Sequence, residues 1–274
     1  MTTRKLHINF CRIALFIIAV ALAAPKAYSK EPGKVAEDSE ISSEIKSYKV
    51  KVVASYPHNP ASYTQGLFFH NDTLYESTGQ YGRSAFYKLN LKNGKPYRKL
   101  KFARRYFAEG SVLLNGRIYI LTWMEHKVFV LDAKTLEKTG EFYNPYQGWG
   151  LTTDGTYLYL TDGSATLYKM DPNTFRTISS IMVTASGKPV KYLNELEFIN
   201  GRIWANVYTT DDIVIINPEN GFVEARIDCS GLLDSKLRKP ETDVLNGIAF
   251  NPKDNSLYLT GKNWPLLFKV ELVD

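Results

Sequence analysis

Apolar positions in this chain fall in short runs that read as strands, and a two-part word organises them. The word is a strand opening on a polar or aromatic residue, followed by a second strand opening on an apolar-aromatic pair. It occurs five times: Gln65-Gly66-Leu67 with Leu74-Tyr75, Glu109-Gly110-Ser111 with Ile118-Tyr119, Trp149-Gly150-Leu151 with Leu158-Tyr159, Asn194-Glu195-Leu196 with Ile203-Trp204, and Asn246-Gly247-Ile248 with Leu257-Tyr258. Counted from the second residue of each copy, the steps are 44, 40, 45 and 52 residues, the period of a β-propeller blade. One blade alone leaves a face unburied, so the copies must stack around an axis. The pattern therefore predicts an all-β, five-bladed β-propeller over residues 48–274.

The first blade has its strands at 65–70, 73–78, 85–91 and 97–102, whereas the last runs out after a third strand at 266–272. Residues 48–54, with Val50, Val52, Val53 and Ala54, form a β-branched strand with no partner in the first blade. Placing that strand outermost in the last blade closes the ring and leaves no open edge at the seam. Trp204 holds the aromatic position shared with Tyr75, Tyr119, Tyr159 and Tyr258, which assigns it to the core between blades.

Equivalent positions in a repeat under purely structural demand carry similar residues, and here two sets diverge. The first residue of each word, at the entrance to the innermost strand, is Gln65, Glu109, Trp149, Asn194 or Asn246. The end of the second strand carries Gly79, Trp123, Gly163, Tyr208 or Lys262. Divergence of two rings on a symmetric scaffold marks a site at one end of the central channel.

The N-terminus is a separate region. Arg4, Lys5 and Arg12 precede an apolar run at 13–24, and Ala27-Tyr28-Ser29 offers a small-x-small cleavage site, so residues 1–29 read as a secretory signal peptide rather than an uncleaved anchor. Cys11 lacks a lipobox. Residues 30–47, rich in Lys, Glu, Ser and Asp, read as a disordered spacer. The leader holds four basic and no acidic side chains, so a formal charge of +6 falls to +2 once it is removed. That balance argues against a nucleic-acid partner, and the cluster Lys99, Lys101, Arg104 and Arg105 reads as a solvated face of an outer strand. The expectation is an exported monomer, periplasmic or secreted, free of the membrane after cleavage. Cys229 is then the lone cysteine, a small buried hydrophobe.

Several chemistries are excluded. The histidines are His7, His58, His70 and His126, and none share metal-ligand spacing, so no metal site is expected. No nucleophile elbow, phosphate-binding loop or dinucleotide fingerprint occurs, and no cofactor is implied. Asn71-Asp72-Thr73 is a sequon, but Asn-Asp between strands is also turn chemistry.

What remains is Tyr63-Thr64-Gln65-Gly66-Leu67, Phe107-Ala108-Glu109-Gly110, Leu121-Thr122-Trp123, Gly148-Trp149-Gly150-Leu151, Asn194-Glu195-Leu196-Glu197, Leu245-Asn246-Gly247-Ile248 and Thr260-Gly261-Lys262-Asn263-Trp264. In this order, and from about residue 48 to the C-terminus, the set resembles the motifs of the bacterial and plant type of glutaminyl cyclase, a family of five-bladed propellers. The resemblance implies cyclisation of N-terminal glutamine in peptides or proteins to pyroglutamate with loss of ammonia. It makes Glu109 the central acid and Asn194 and Lys262 its polar partners, with Tyr63, Gln65, Phe107, Trp123, Trp149 and Tyr208 lining the pocket. Tyr63 stands where the family has Phe, Ala108 where it has Gly, and Tyr208 where Trp is expected.

The chemistry asks for the same groups. The α-amine attacks its own side-chain amide, so the nucleophile is already tethered. Ammonia must leave protonated, which calls for a carboxyl that moves a proton, while Lys262 and Asn194 can donate to the oxygen gaining charge. Glu109 and Lys262 could instead be a structural ion pair, and Glu195 and Glu197 could serve only a hydrogen-bond network near the channel. The competing function is a non-catalytic exported propeller that binds a peptide or protein, which needs no carboxylate, lysine and amide converging on one end.

Overall fold

The structure, a computed structural model, describes residues 44–274. The leader and all but the last residues of the proposed spacer lie outside the described residues. The chain opens with β1 (Lys46–Pro57). A four-stranded antiparallel sheet follows in sequence order, β2 (Thr64–His70), β3 (Thr73–Thr78), β4 (Ala85–Leu89) and β5 (Pro96–Lys101). A second has β6 (Ala108–Leu114), β7 (Arg117–Thr122), β8 (Lys127–Asp132) and β9 (Lys138–Tyr143), and a third β10 (Leu151–Thr153), β11 (Leu158–Leu160), β12 (Thr166–Met170) and β13 (Thr177–Met182). After a small hairpin, β14 (Thr184–Ala185) and β15 (Lys188–Pro189), come β16 (Leu193–Ile199), β17 (Arg202–Val207), β18 (Asp212–Ile216) and β19 (Val223–Asp228), then β20 (Leu245–Asn251), β21 (Ser256–Gly261) and β22 (Leu266–Val273).

These last seven strands and β1 form one eight-stranded sheet, ordered β16-β17-β18-β19-β1-β22-β21-β20. Lys49–Pro57 of β1 pairs antiparallel with β22, as the missing fourth strand required. The strand begins two residues earlier than the sequence pattern suggested, and Lys46 to Lys49 also pair, in parallel, with β19. Both edges at the seam are thereby covered. The 52-residue step between the last two words is accounted for by the segment after β19, which carries a 3₁₀ turn at Ser235–Leu237.

The first strands form a circuit. β2 adjoins β6, β6 adjoins β10, β10 adjoins β16, β16 adjoins β20, and β20 adjoins β2. Burial falls from these strands outward: β2 is buried along its first five residues, whereas β5 is almost wholly exposed, and Lys99, Lys101, Arg104 and Arg105 are all in solvent. The core lies between neighbouring sheets. Phe68, Tyr75 and Phe86 of the first pack on Ile118, Ile120 and Phe129 of the second, while Leu67, Leu74 and Tyr87 pack on Ala249, Tyr258 and Leu267.

The repeated tyrosines Tyr75, Tyr119, Tyr159 and Tyr258 are buried there, and Trp204 packs, as expected, against the core cluster containing Ile199, Ile213, Leu257 and Leu259, although it is only half-buried. The indole is larger than the phenol ring it replaces, and it borders a surface cleft with Phe250 and Leu272. The tryptophan sealed in the core is Trp264, at 1% exposure. Cys229 is buried as expected, and burial pushes its thiol up to about 12. Asn71 and Asp72 take the positive φ of a tight hairpin turn between β2 and β3.

Candidate functional site

Four of the five words place their first residue by a backbone irregularity. The ladder between first and second strands shifts register between Thr64 and Gly66, Ala108 and Ser111, Leu193 and Leu196, and Leu245 and Ile248. A bulge inserts an extra residue and re-aims its side chain, here at Gln65, Glu109, Asn194 and Asn246. The next residue is glycine in four copies: at Gly66, Gly110 and Gly150 the neighbouring first strand leaves no room for a Cβ, which at Gly66 would stand 2.6 Å from the Ser111 nitrogen, and Gly247 takes a φ of +127°, which favours glycine. In the fourth copy Glu195 takes the place. Its carboxylate accepts the Leu67 N–H at 3.1 Å and the Ile248 N–H at 2.8 Å, bridging strands on two sides, and Glu197 accepts the Phe250 N–H at 3.0 Å. Both glutamates thus belong to the hydrogen-bond network of the channel.

The bulges open onto a cavity of about 280 Å³ lined by Tyr63, Gln65, Gln80, Phe107, Glu109, Trp123, Trp149, Asn194, Tyr208 and Lys262. All nine residues singled out from the sequence face it together. Its wall is a circuit of contacts. Tyr63 meets Phe107 edge-on at 6.2 Å between centroids, Phe107 meets Trp123 at 5.6 Å, and Trp149 meets Tyr208 at 5.7 Å. Gln147 joins the two indoles, its Oε1 accepting from Trp123 Nε1 at 3.1 Å and Trp149 Nε1 at 3.4 Å. The Lys262 ammonium closes the circuit, 4.8 Å from the ring centroids of both Tyr63 and Tyr208. Gly79 and Gly163 in the second ring have a steric reason: a Cβ on Gly163 would lie 2.6 Å from the Trp149 indole, and one on Gly79 would collide with the Phe107 ring.

On the floor, Asn246 Nδ2 donates to the Thr64 carbonyl at 2.9 Å and to Gln65 Oε1 at 3.3 Å, which turns the Gln65 amide so that Nε2 donates to Glu109 Oε1 at 3.1 Å. Among the described residues Glu109 Oε2 has no hydrogen-bond partner. Asn194 Oδ1 is buried without a partner, a cost unless a bound group satisfies it. Burial raises the Glu109 carboxyl well above its ordinary range; Lys262 opposes the shift and Glu125 adds to it. Burial also lowers the Lys262 ammonium, against the pull of Glu109 and Asp243. The two are not in ion-pair contact among the described residues. This arrangement can hold a small polar head group within an aromatic wall and offer it a proton carrier and two amide or ammonium donors.

No individual role was read from the sequence for Gln80, which lines the cavity, or for Gln147, Asp243 and Glu125, which support it. Asp243 Oδ2 accepts the Tyr63 hydroxyl at 3.0 Å, and Glu125 accepts the Phe107 N–H at 3.4 Å. Among the described residues no group of three or more His, Cys, Asp or Glu side chains is placed to hold a metal ion.

The chain matches the model of a family described as glutamine cyclotransferase over residues 17–272. It is 42% identical over 228 residues to a glutaminyl-peptide cyclotransferase of Arabidopsis thaliana, covering 82% of this chain and 71% of the relative. Its fold is similar to the crystal structure of the glutaminyl cyclase of Myxococcus xanthus, with a TM-score of 0.79 and 33% identity over 84% of this chain and all of that one.

Proposed function

The chain belongs to the glutamine cyclotransferase family, and on that premise we propose how its own residues carry the reaction. It acts as a glutaminyl-peptide cyclotransferase on peptides with N-terminal glutamine. Its scaffold is a five-bladed propeller, a reading supported by the circuit of first strands and by β1 lying between β19 and β22. The substrate's glutamine enters the aromatic wall with its α-amine folded back on its side-chain amide, which is an intramolecular attack needing orientation above all. The new bond joins the α-nitrogen to Cδ, and the bond that breaks joins Cδ to the amide nitrogen. Glu109 Oε2 takes the proton from the attacking amine and delivers it to the departing nitrogen, which leaves as ammonia.

The α-amine titrates at about 7.7–8.0, so a neutral fraction is available to attack, and burial raises the proton affinity of the Glu109 carboxyl, as suits a group that takes a proton and gives it back. Lys262 and the Asn194 amide donate to the carbonyl oxygen as it gains charge. Gln65 holds Glu109, and Tyr63, Phe107, Trp123, Trp149 and Tyr208 position the chain and limit water, which would give glutamate instead of the lactam. The observation that carries this reading is the buried Glu109 carboxyl with one oxygen free, in one cavity with Lys262 and Asn194.

The reaction as proposed uses no metal ion or cofactor, and the protein works as an exported monomer, periplasmic or secreted, without nucleic-acid or membrane partners. The test is ammonia release from a glutamine-initiated dipeptide, with the asparagine analogue as control. Release from the first alone, unchanged by a chelator, is expected. Binding of both peptides without turnover would make the protein a non-catalytic peptide binder, and loss of activity with chelator would assign the chemistry to a metal.

A further inference from the structure

Lys262 is the one cationic group among the cavity-lining residues, and it is 2% exposed. Its ammonium rests against two rings, and among the described residues no side-chain acceptor holds it. Something outside the cavity must fix both the rings and the charge. Asp243, in the segment leading into β20, is tied to this arrangement through all four of its polar groups. Oδ2 accepts the Tyr63 hydroxyl at 3.0 Å and Oδ1 the Val244 N–H at 2.8 Å, while its own N–H donates to the Lys262 carbonyl at 2.9 Å and its carbonyl accepts Trp264 Nε1 at 2.8 Å. It therefore grips the Lys262 backbone and the ring against the Lys262 ammonium at once.

We propose that Asp243 is a positioning residue for Lys262, holding Tyr63 against the ammonium and supplying the countercharge that keeps the site's cation in place. This rests on the donor role given to Lys262 above. Burial alone drives the ammonium toward its neutral form, which donates far more weakly to a developing oxyanion. The groups that face it are Glu109 from β6, Asp243, and the rings of Tyr63, just before β2, and Tyr208, just after β17. Glu109 spends its charge when it takes the amine's proton. Asp243, whose oxygens are engaged by Tyr63 and Val244, takes no part in that proton transfer. Asp211 and Arg238 border the adjoining depression together with Asp243.

The test is the pH profile of kcat, where loss of the Lys262 proton sets the alkaline limb. Asp243→Asn removes the charge yet leaves Tyr63 a partner, since a phenol hydroxyl can donate or accept. Its alkaline limb is expected to move to lower pH by about one unit, the size of an opposite charge removed nearby, while Asp243→Glu keeps the limb in place. Tyr63→Phe keeps the charge and frees the ring, so KM should rise about three-fold or more, the value of one hydrogen bond, with the limb unmoved. A limb unchanged in Asp243→Asn beside a slow Lys262→Ala overturns the proposal and spares the role of Lys262. An unchanged KM in Tyr63→Phe overturns it even if Asp243→Asn fails to fold. Wild-type turnover in Lys262→Ala is a separate failure, removing the role on which the proposal rests.

Discussion

Gln147 sits exposed at the rim and holds both indoles of the wall with a single carbonyl oxygen. Gln147→Leu keeps the length of the side chain and removes the acceptor, so Trp123 and Trp149 each lose a hydrogen bond worth about 0.5–1.5 kcal/mol. The expected result is a KM for a glutamine-initiated dipeptide raised about ten-fold with thermal stability nearly unchanged, and an unaltered KM would remove Gln147 from the site. Seven of the nine cavity residues were legible in the sequence because each breaks the repeat at a position that the other copies define, whereas Tyr63 and Phe107 came from the resemblance to the glutaminyl cyclases. Gln147 was legible in principle. It stands two residues before Trp149, as Tyr63, Phe107, Tyr192 and Val244 stand before the other four words, a third equivalent ring that only the structure draws attention to. Asp243 and Glu125 lie outside any repeat position, and nothing in the pattern marks a carboxylate that acts through a neighbour's phenol.

Among the elements, the bulges were invisible to the alternation of apolar and polar residues: glycine follows those at Gln65, Glu109 and Asn246, but Glu195 follows the one at Asn194, and Gly150 follows Trp149, where the ladder shows no shift. The pattern did identify β1 as the strand that completes the last sheet. Its parallel pairing with β19 was not readable, because only four residues at its start make it and two of them, Lys46 and Ser47, fall in the polar stretch that read as a spacer. Tyr48, Val50 and Leu272 pack on the cluster around Trp264 and Phe268, so removing β1 bares two strand edges and one side of that core. A chain beginning at residue 58 should lose the cooperative urea transition shown by a chain beginning at residue 44, since a domain commonly holds only about 5–15 kcal/mol in all. Equal midpoints for the two chains would mean that the ring closes without its first strand.

At the scale of the whole molecule the axis carries charge that the fold pushes toward neutrality. Burial lifts Glu197 from 4.5 to about 8 and raises Glu195 as well. The native state then holds these protons more tightly than the unfolded chain, so stability is full below pH 4.5 and declines as pH rises toward 8. His58 acts in the same direction: burial alone would lower it, but the Glu76 carboxylate 3.0 Å from Nε2 outweighs that, and its contribution fades above the ordinary imidazole value. Glu197→Gln should therefore flatten the fall in Tm between pH 5 and 8, whereas an identical slope would mean that Glu197 stays ionised in the fold. Closure of the circuit also joins the groups of the reaction, because Glu109 comes from β6, Asn194 from β16 and Lys262 from the residue after β21. The most direct test of this account is ammonia release from a glutamine-initiated dipeptide by Glu109→Gln, which keeps the shape and the bond from Gln65 but cannot carry the proton. The account predicts turnover lower by about 10²–10⁴-fold with the thermal transition retained, and near-native turnover would contradict it.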